Sequence, residues 1–228
     1  MPETPSIQGR ELRAVLLDWD GTLVDSHGSL FAANAAVMRA FELPFDEGLY
    51  RLHYAPDWRL MYQRLGLRDD QIEEANRVWE AAYDGIASTT LYPGAADALR
   101  MLHAAGLPLG LVTAGPSAIV RPQIERLGLG DLLAIRVFGD DLVEQKPDPA
   151  PLRLALTRIG LADDPASVAF LGDAPDDMRM ARAVGVHGIG IPSRLSDRDG
   201  LIAAGAGDIA GSVAEWASRV LVERPVPG

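Results

Sequence analysis

Residues 13–26 have the sequence RAVLLDWDGTLVDS. The apolar run at 14–17 is typical of a short strand buried on both faces, as in a parallel sheet covered by helices. Asp18 and Asp20 follow this run, and residues two apart on an extended chain point the same way. Because open α/β sheets bind ligands beyond the carboxyl ends of their strands, we expect both carboxylates in one site. Gly21 lets the chain turn sharply beside them.

The same kind of apolar run recurs along the rest of the chain. Further strands are predicted at 107–113, 134–138, 168–172 and 187–191. Helical patterns are predicted at 95–105, 117–127, 150–159, 175–184 and 213–221. This alternation of strand and helix predicts a doubly wound α/β fold with a parallel sheet.

Residues 26–91 interrupt the alternation, because this stretch shows helical patterning only. The predicted helices there lie around 30–41, 57–65 and 70–86. A Tyr-Pro-Gly turn at 92–94 then restarts the strand–helix alternation. We therefore predict an all-helical insertion at 26–91 and an α/β catalytic core formed by 1–25 and 92–228.

Composition narrows the possible functions. The chain has 228 residues, no cysteine and a formal net charge of −11. Without cysteine there is no disulfide framework and no thiol nucleophile. The acidic balance argues against a nucleic-acid partner, and no run approaches the ~20 apolar residues of a membrane helix. We expect a cytoplasmic protein without a membrane partner, whose oligomeric state the sequence leaves open.

Two further motifs offer groups that suit phosphate. Thr113 and Ala114 follow the predicted strand at 107–113 and precede a helix, where a hydroxyl and free backbone N–H groups can bind phosphate oxygens. Lys146 is the only lysine in a chain with 20 arginines, and it precedes a Pro-Asp-Pro segment. A single lysine in a chain otherwise rich in arginine suggests that this position needs the compact, flexible charge of an ammonium group, which arginine does not provide.

A fourth motif supplies more carboxylates. Asp173 ends the predicted strand at 168–172, and Asp177 lies one helical turn further on. Both can face the site that contains Asp18 and Asp20. Clustered carboxylate and carbonyl oxygens with an open side suit octahedral Mg²⁺, which keeps several of its waters.

In this order along the chain, the four motifs resemble the haloacid dehalogenase superfamily. The closer likeness is to its phosphoglycolate-phosphatase-like phosphohydrolases, and it extends from the first strand to the last core helix. The resemblance implies a core of Rossmann type, and the helical insertion resembles the family's cap placed after the first motif. It also implies a magnesium-dependent phosphatase that acts on a small phosphorylated metabolite, phosphoglycolate-like or a sugar phosphate.

The resemblance implies a role for each residue of this sequence that matches one of the family's motifs. Asp18 would be the nucleophile that forms an aspartyl-phosphate, and Asp20 would protonate the leaving oxygen and later activate water. Mg²⁺ would bind Asp18, the Asp20 carbonyl and Asp173, with Asp177 holding a metal-bound water or orienting Asp173. The phosphoryl oxygens would be bound by Thr113, the Ala114 N–H and Lys146.

Other activities of the superfamily can be compared by the residues that each one needs. A dehalogenase has no use for Asp20 as an acid or for a metal, and a phosphonate hydrolase needs a cap lysine, which 26–91 lacks. A sugar-phosphate mutase uses the same core residues, and an inactive binding module would be expected to lack one of them. As substrate contacts within the cap we expect His27, which lies nearest the first motif, together with Arg51 and Arg59.

Overall fold

The computed structural model describes residues 5–7 and 9–222. Its centre is a six-stranded sheet in which every neighbouring pair of strands is parallel. From one edge of the sheet to the other, the strands are β10 (Asp208–Ile209), β9 (His187–Gly190), β8 (Val168–Gly172), β3 (Ala14–Leu17), β6 (Leu109–Val112) and β7 (Ile135–Val137). The predicted doubly wound α/β fold is confirmed.

Helices cover both faces of the sheet. They are α6 (Ala95–Ala104), α7 (Ser117–Arg126), α8 (Ala150–Ile159), α9 (Pro175–Val184), α10 (Arg198–Ala204) and α11 (Val213–Val222). Alternate residues of β3 point to opposite faces, as the pleat requires. Val15 and Leu17 join the apolar cluster formed with α6, α7 and α11, whereas Ala14 and Leu16 join the cluster formed with α8 and α9. The central strand is thus buried on both faces, and Asp18 follows its carboxyl end.

The segment between β3 and α6 is mainly helical, as predicted, and has an apolar cluster of its own. Its helices are α1 (His27–Ala40), α2 (Glu47–His53), α3 (Trp58–Arg64), α4 (Ile72–Ala82) and α5 (Gly85–Ser88). We call this stretch, residues 27–88, the helical segment. A 3-10 turn at Asp69–Gln71 precedes α4, and another at Pro165–Ser167 precedes β8.

The single helix predicted over 70–86 is wrong. Helix α4 ends at Ala82 because Tyr83 has an extended backbone, with φ −78° and ψ 118°. The Tyr83 ring stacks on Trp79 at a centroid distance of 4.5 Å, and α5 begins two residues later. Helix α2 was also not predicted, because seven residues are too few to establish a helical period.

Two short antiparallel pairs lie outside the main sheet and were not predicted. One joins β1 (Ser6–Ile7) to β2 (Arg10–Glu11), and the other joins β4 (Val24–Asp25) to β5 (Thr90–Leu91). The β4–β5 pair holds together the two chain stretches that enter and leave the helical segment. The proposed core boundaries extend into 1–4 and 223–228, which lie outside the described residues. None of the described helices is long and apolar enough to cross a membrane.

Candidate active site

The first motif lies at the carboxyl end of β3, in the middle of the sheet. The backbone N–H of Asp18 donates a 2.8 Å hydrogen bond to the carbonyl of Leu171 on β8, which continues the ladder by one residue. This bond fixes the Asp18 backbone as the chain leaves the sheet. The Asp18 side chain is only 9% exposed, so its carboxylate faces the interior of the site.

The chain then turns tightly around Trp19. The Trp19 carbonyl accepts hydrogen bonds from the N–H groups of Leu23 and Val24 at 2.9 and 3.1 Å. Gly21 has φ +80°, and a Cβ there would lie 2.1 Å from Asp173 Oδ2. The glycine therefore both permits the turn and makes room for the Asp173 carboxylate. Among the described residues, no backbone N–H donates to the Asp20 carbonyl.

The second motif lies beside the first, at the end of β6. Thr113 is buried, and its hydroxyl accepts a 2.9 Å hydrogen bond from the Gly115 N–H. Its own proton is left for a second acceptor. A Cβ on Gly115 would lie 3.3 Å from Thr113 Oγ1 and 3.7 Å from Asp20 Oδ2, which places these two side chains on either side of the same point. Ala114, which lies between Thr113 and Gly115 in the sequence, is half-buried.

Lys146 reaches the site from the loop before α8. Its Nζ donates a 2.6 Å hydrogen bond to Asp18 Oδ1 and forms an ion pair with Asp177 Oδ1 at 2.8 Å. Nζ also lies 5.4 Å from the centre of the Phe170 ring. The side chain is 4% exposed, so the single lysine of the chain is a buried cation held between two carboxylates.

The fourth motif completes the cluster from β8 and α9. Asp18, Asp173 and Asp177 each offer a carboxylate oxygen within 4.8 Å of the others, and all three are buried. Asp177 Oδ2 accepts a 3.1 Å hydrogen bond from the Ala174 N–H at the start of α9. Asp173 Oδ2 is buried and has no hydrogen-bond partner among the described residues. A buried oxygen without a partner costs free energy unless a cation or proton approaches it.

Burial sets the electrostatics of these groups. It raises the pKa of Asp18 to about 7, against the lowering effect of the Lys146 ammonium. It also raises the pKa of Asp173 well above 3.8, and the Asp18 and Asp177 charges add to this. Burial alone would lower the pKa of Lys146, but Asp177 and Asp18 outweigh it, so the pKa is raised and the lysine stays charged. One ammonium facing three carboxylates leaves the cluster short of positive charge.

These residues fit a hard divalent cation. The candidate ligands are carboxylate oxygens of Asp18, Asp173 and Asp177, together with the Asp20 carbonyl, which accepts no backbone hydrogen bond among the described residues. Oxygen donors of this kind are those that Mg²⁺ prefers. The unpartnered Asp173 oxygen and the space kept by Gly21 agree with a cation at this point.

A cleft of about 350 Å³, solvent-open space included, lies beside the cluster. Of the predicted substrate contacts, His27 lines it, with Nε2 3.0 Å from Glu47 Oε2. Arg51 and Arg59 are not among its lining residues. The Arg51 guanidinium pairs with Asp197 at 3.0 Å, and that of Arg59 lies over the Trp58 ring at 4.3 Å.

The sequence analysis missed several residues of this cleft. They are Tyr50, Tyr54, Tyr92, Ser193, Arg194 and Leu195. The two tyrosines at 50 and 54 lie on or just after α2, which was not predicted. Arg194 follows β9, at the carboxyl end of another sheet strand, and that position is the signal that would have identified it.

Known proteins share this fold and sequence pattern. A family model described as haloacid dehalogenase-like hydrolase matches residues 12–185. The phosphoglycolate phosphatase of Salmonella paratyphi A is 32% identical over 209 residues, which cover 80% of this chain and 82% of that protein. The phosphoglycolate phosphatase of Escherichia coli is 33% identical over 207 residues, covering 79% and 81%.

The fold is also similar to that of solved structures. The crystal structure of a hydrolase from Pseudomonas syringae superposes with a TM-score of 0.81 at 26% identity, over 91% of this chain and 97% of that one. The resemblance inferred from the four motifs is confirmed by both kinds of comparison.

Proposed function

The chain belongs to the haloacid dehalogenase-like hydrolases, and we propose that it is a magnesium-dependent phosphatase acting through an aspartyl-phosphate on Asp18. The observation that carries this proposal is the buried cluster in which Lys146 Nζ lies 2.6 Å from Asp18 Oδ1, beside the unpartnered oxygen of Asp173. Curated relatives that are phosphoglycolate phosphatases support a small phosphorylated substrate, phosphoglycolate-like or a sugar phosphate.

In the first step an Asp18 carboxylate oxygen forms a bond to phosphorus while the bond from phosphorus to the ester oxygen breaks. The departing oxygen takes a proton from Asp20. Burial raises the pKa of Asp20 above 3.8, which favours the protonated form that this step requires. In the second step water attacks phosphorus, gives its proton to Asp20 and releases the Asp18 carboxylate.

The phosphoryl oxygens carry the charge of the transition state, and the chain supplies donors for them. Lys146 contributes an ammonium, Thr113 a hydroxyl proton and Ala114 a backbone N–H. A magnesium ion held by Asp18, the Asp20 carbonyl and Asp173, with Asp177 supporting it, supplies charge neutralisation at the same oxygens when bound. Such transfers depend on position and electrostatics, and the groups that follow β3, β6 and β8, together with Lys146 from the loop before α8, provide both.

We further propose that residues 26–91 act as a cap over the core formed by 1–25 and 92–228. The support is the separate apolar cluster of the helical segment and the single β4–β5 pair at its base. His27 and Tyr50 from this segment line the cleft together with Asp20 and Asp173 from the core. A cap in this place excludes water and selects the leaving group.

The competing chemistries of the superfamily have less support. A dehalogenase would need neither Asp20 as an acid nor Asp173 as a metal ligand. A mutase needs cap cations for a second phosphate, and the two candidates, Arg51 and Arg59, lie outside the cleft lining.

A screen of phosphorylated metabolites tests the proposed function. Phosphate release is measured with Mg²⁺ and with EDTA, on the wild type and on Asp18→Asn. We expect release that needs the metal and that the substitution abolishes. Equal release from both proteins would refute Asp18 as nucleophile. Metal-independent turnover of a chloroacid would favour the dehalogenase, and conversion of a hexose 1-phosphate to the 6-phosphate would favour the mutase.

A further inference from the structure

The cleft beside the aspartates contains one permanent cation. Among the described residues that line it, Arg194 is the only arginine or lysine, whereas Asp20 and Asp173 supply two carboxylates at its inner end. The ring of His27, which also lines the cleft, already contacts Glu47. Arg194 is therefore the lining residue whose charge suits an anionic group of a ligand bound beside the aspartates.

Arg194 has no carboxylate of its own. None of the ion pairs formed among residues 5–7 and 9–222 involves it. Its charge is felt by Tyr92, another cleft residue: burial raises the pKa of the Tyr92 phenol to about 12, and Arg194 acts in the opposite direction. Arg194 is therefore an exposed guanidinium that lines the cleft and forms no ion pair within the described part of the chain.

The backbone around Arg194 is fixed by a tight turn. The Ser193 N–H donates a 2.9 Å hydrogen bond to the Ser196 carbonyl. The Leu195 N–H donates a 3.1 Å hydrogen bond to the Ser193 hydroxyl. These two bonds enclose Arg194 and limit the positions that its side chain can reach.

The same turn contacts the helical segment on the far side of Arg194. Leu195 packs against the apolar cluster of that segment, and Asp197 pairs with Arg51 of α2 at 3.0 Å. Arg194 thus lies where the core and the helical segment meet.

Resting on the function proposed above, we propose that Arg194 determines specificity by binding a carboxylate on the leaving-group side of a small phosphorylated substrate. A guanidinium matches the two oxygens of one carboxylate through a pair of parallel hydrogen bonds. A second phosphoryl group carries more charge than one cation balances.

Two esters that differ in a single group test this assignment. Phosphoglycolate carries a carboxylate where 2-hydroxyethyl phosphate carries a neutral CH₂OH. Arg194→Gln is expected to lower kcat/KM on phosphoglycolate about 10- to 100-fold, the effect of losing a charge-assisted hydrogen-bond pair. On 2-hydroxyethyl phosphate we expect a change of less than about threefold, since an exposed charge without a partner contributes little. Arg194→Lys should recover part of the loss on phosphoglycolate only.

Arg100→Gln is the matched control, because Arg100 is an exposed arginine that pairs with Asp97 on α6. It should leave both substrates unaffected. An equal loss on both esters in Arg194→Gln, or no loss on phosphoglycolate, would overturn the assignment. So would a loss confined to a sugar bisphosphate, since the second anion would then be a phosphate. Failure of the proposed function looks different: the wild type would hydrolyse neither ester with Mg²⁺, or Asp18→Asn would hydrolyse both.

Discussion

The indole Nε1 of Trp19 donates a 2.7 Å hydrogen bond to Oε1 of Gln123, although 104 positions separate the two residues. Trp19 stands between Asp18 and Asp20, and Gln123 lies on α7. The amide nitrogen of Gln123 donates in turn to the Gly85 carbonyl at 2.9 Å and to the Tyr83 hydroxyl at 3.0 Å. One buried amide therefore joins the turn of the first motif to the end of the helical segment.

Removal of this amide is expected to destabilise the fold. Gln123→Leu leaves the Trp19 donor and the Gly85 carbonyl buried without partners, so we expect the free energy of unfolding to fall by about 2–4 kcal/mol. Urea denaturation followed by tryptophan fluorescence measures it. Gln63→Leu is the control, because Gln63 is exposed and should change stability by less than about 0.5 kcal/mol. Equal stability of Gln123→Leu and the wild type would show that the network contributes nothing.

Gly21 is expected to be essential to the metal site. In Gly21→Ala the new Cβ would lie 2.1 Å from Asp173 Oδ2 at a residue with φ +80°, so either the turn or the carboxylate must move. We expect Mg²⁺-dependent activity to fall at least about 100-fold, since small displacements of catalytic groups have effects of that size. Steady-state rates over a magnesium titration measure this.

Gly28→Ala provides the comparison for that substitution. Gly28 lies in the first turn of α1, and a Cβ there has nothing within 4 Å. Alanine is favoured over glycine in a helix by about 1 kcal/mol, so this variant should be active and slightly more stable. Full activity in both variants would contradict the role given to Gly21.

Stability without magnesium should fall as pH rises. Burial raises the pKa of Asp18 from 3.8 to about 7, so the folded chain keeps a proton there that the unfolded chain has already released. Between these two pH values the folded state binds more protons, and the free energy of unfolding therefore decreases with increasing pH. The aspartates with lowered pKa, such as Asp164 and Asp197, act in the opposite direction but at pH values below 3.8.

Thermal unfolding at pH 5.5 and pH 8 checks this prediction. In EDTA, the drop in Tm between the two pH values should be larger for the wild type than for Asp18→Asn, which has no charge to bury. Added Mg²⁺ should raise the Tm of the wild type more at pH 8 than at pH 5.5, because the cation binds the ionised cluster. A magnesium effect that is independent of pH would contradict the electrostatic account of the site.

Arg51 and Arg59 should matter little for catalysis, although the sequence suggested them as substrate contacts. Arg51→Gln removes an exposed ion pair with Asp197, and Arg59→Gln removes a guanidinium from the Trp58 ring. Exposed pairs of this kind contribute about 0–1 kcal/mol. We expect kcat/KM on phosphoglycolate within about threefold of wild type for each. A loss as large as that in Arg194→Gln would place these arginines at the substrate after all.

Five of the six strands of the sheet could be predicted because buried parallel strands are continuous apolar runs, whereas β10 (Asp208–Ile209) was not predicted because it is only two residues long. Asp18 and Asp173 each directly follow such a run. Asp18 after β3 and Asp173 after β8 could be placed in one site for that reason alone. The helical segment was harder, because a seven-residue helix such as α2 shows too little periodicity. Substrate contacts were hardest of all. Arg51 and Arg194 look alike in sequence, and only the packing of the turn at 193–197 against α2 separates a paired surface charge from one that faces the cleft.

The most direct test of the central claim is to find the phosphoryl group on the chain during turnover. Wild-type protein is mixed with substrate and Mg²⁺, quenched in acid within one turnover and digested, and the peptide containing Asp18 is examined by mass spectrometry. We predict a phosphoryl group on the Asp18 carboxylate, absent in EDTA and absent in Asp18→Asn. A phosphoryl group on another residue, or phosphate release by Asp18→Asn at the wild-type rate, would contradict the account.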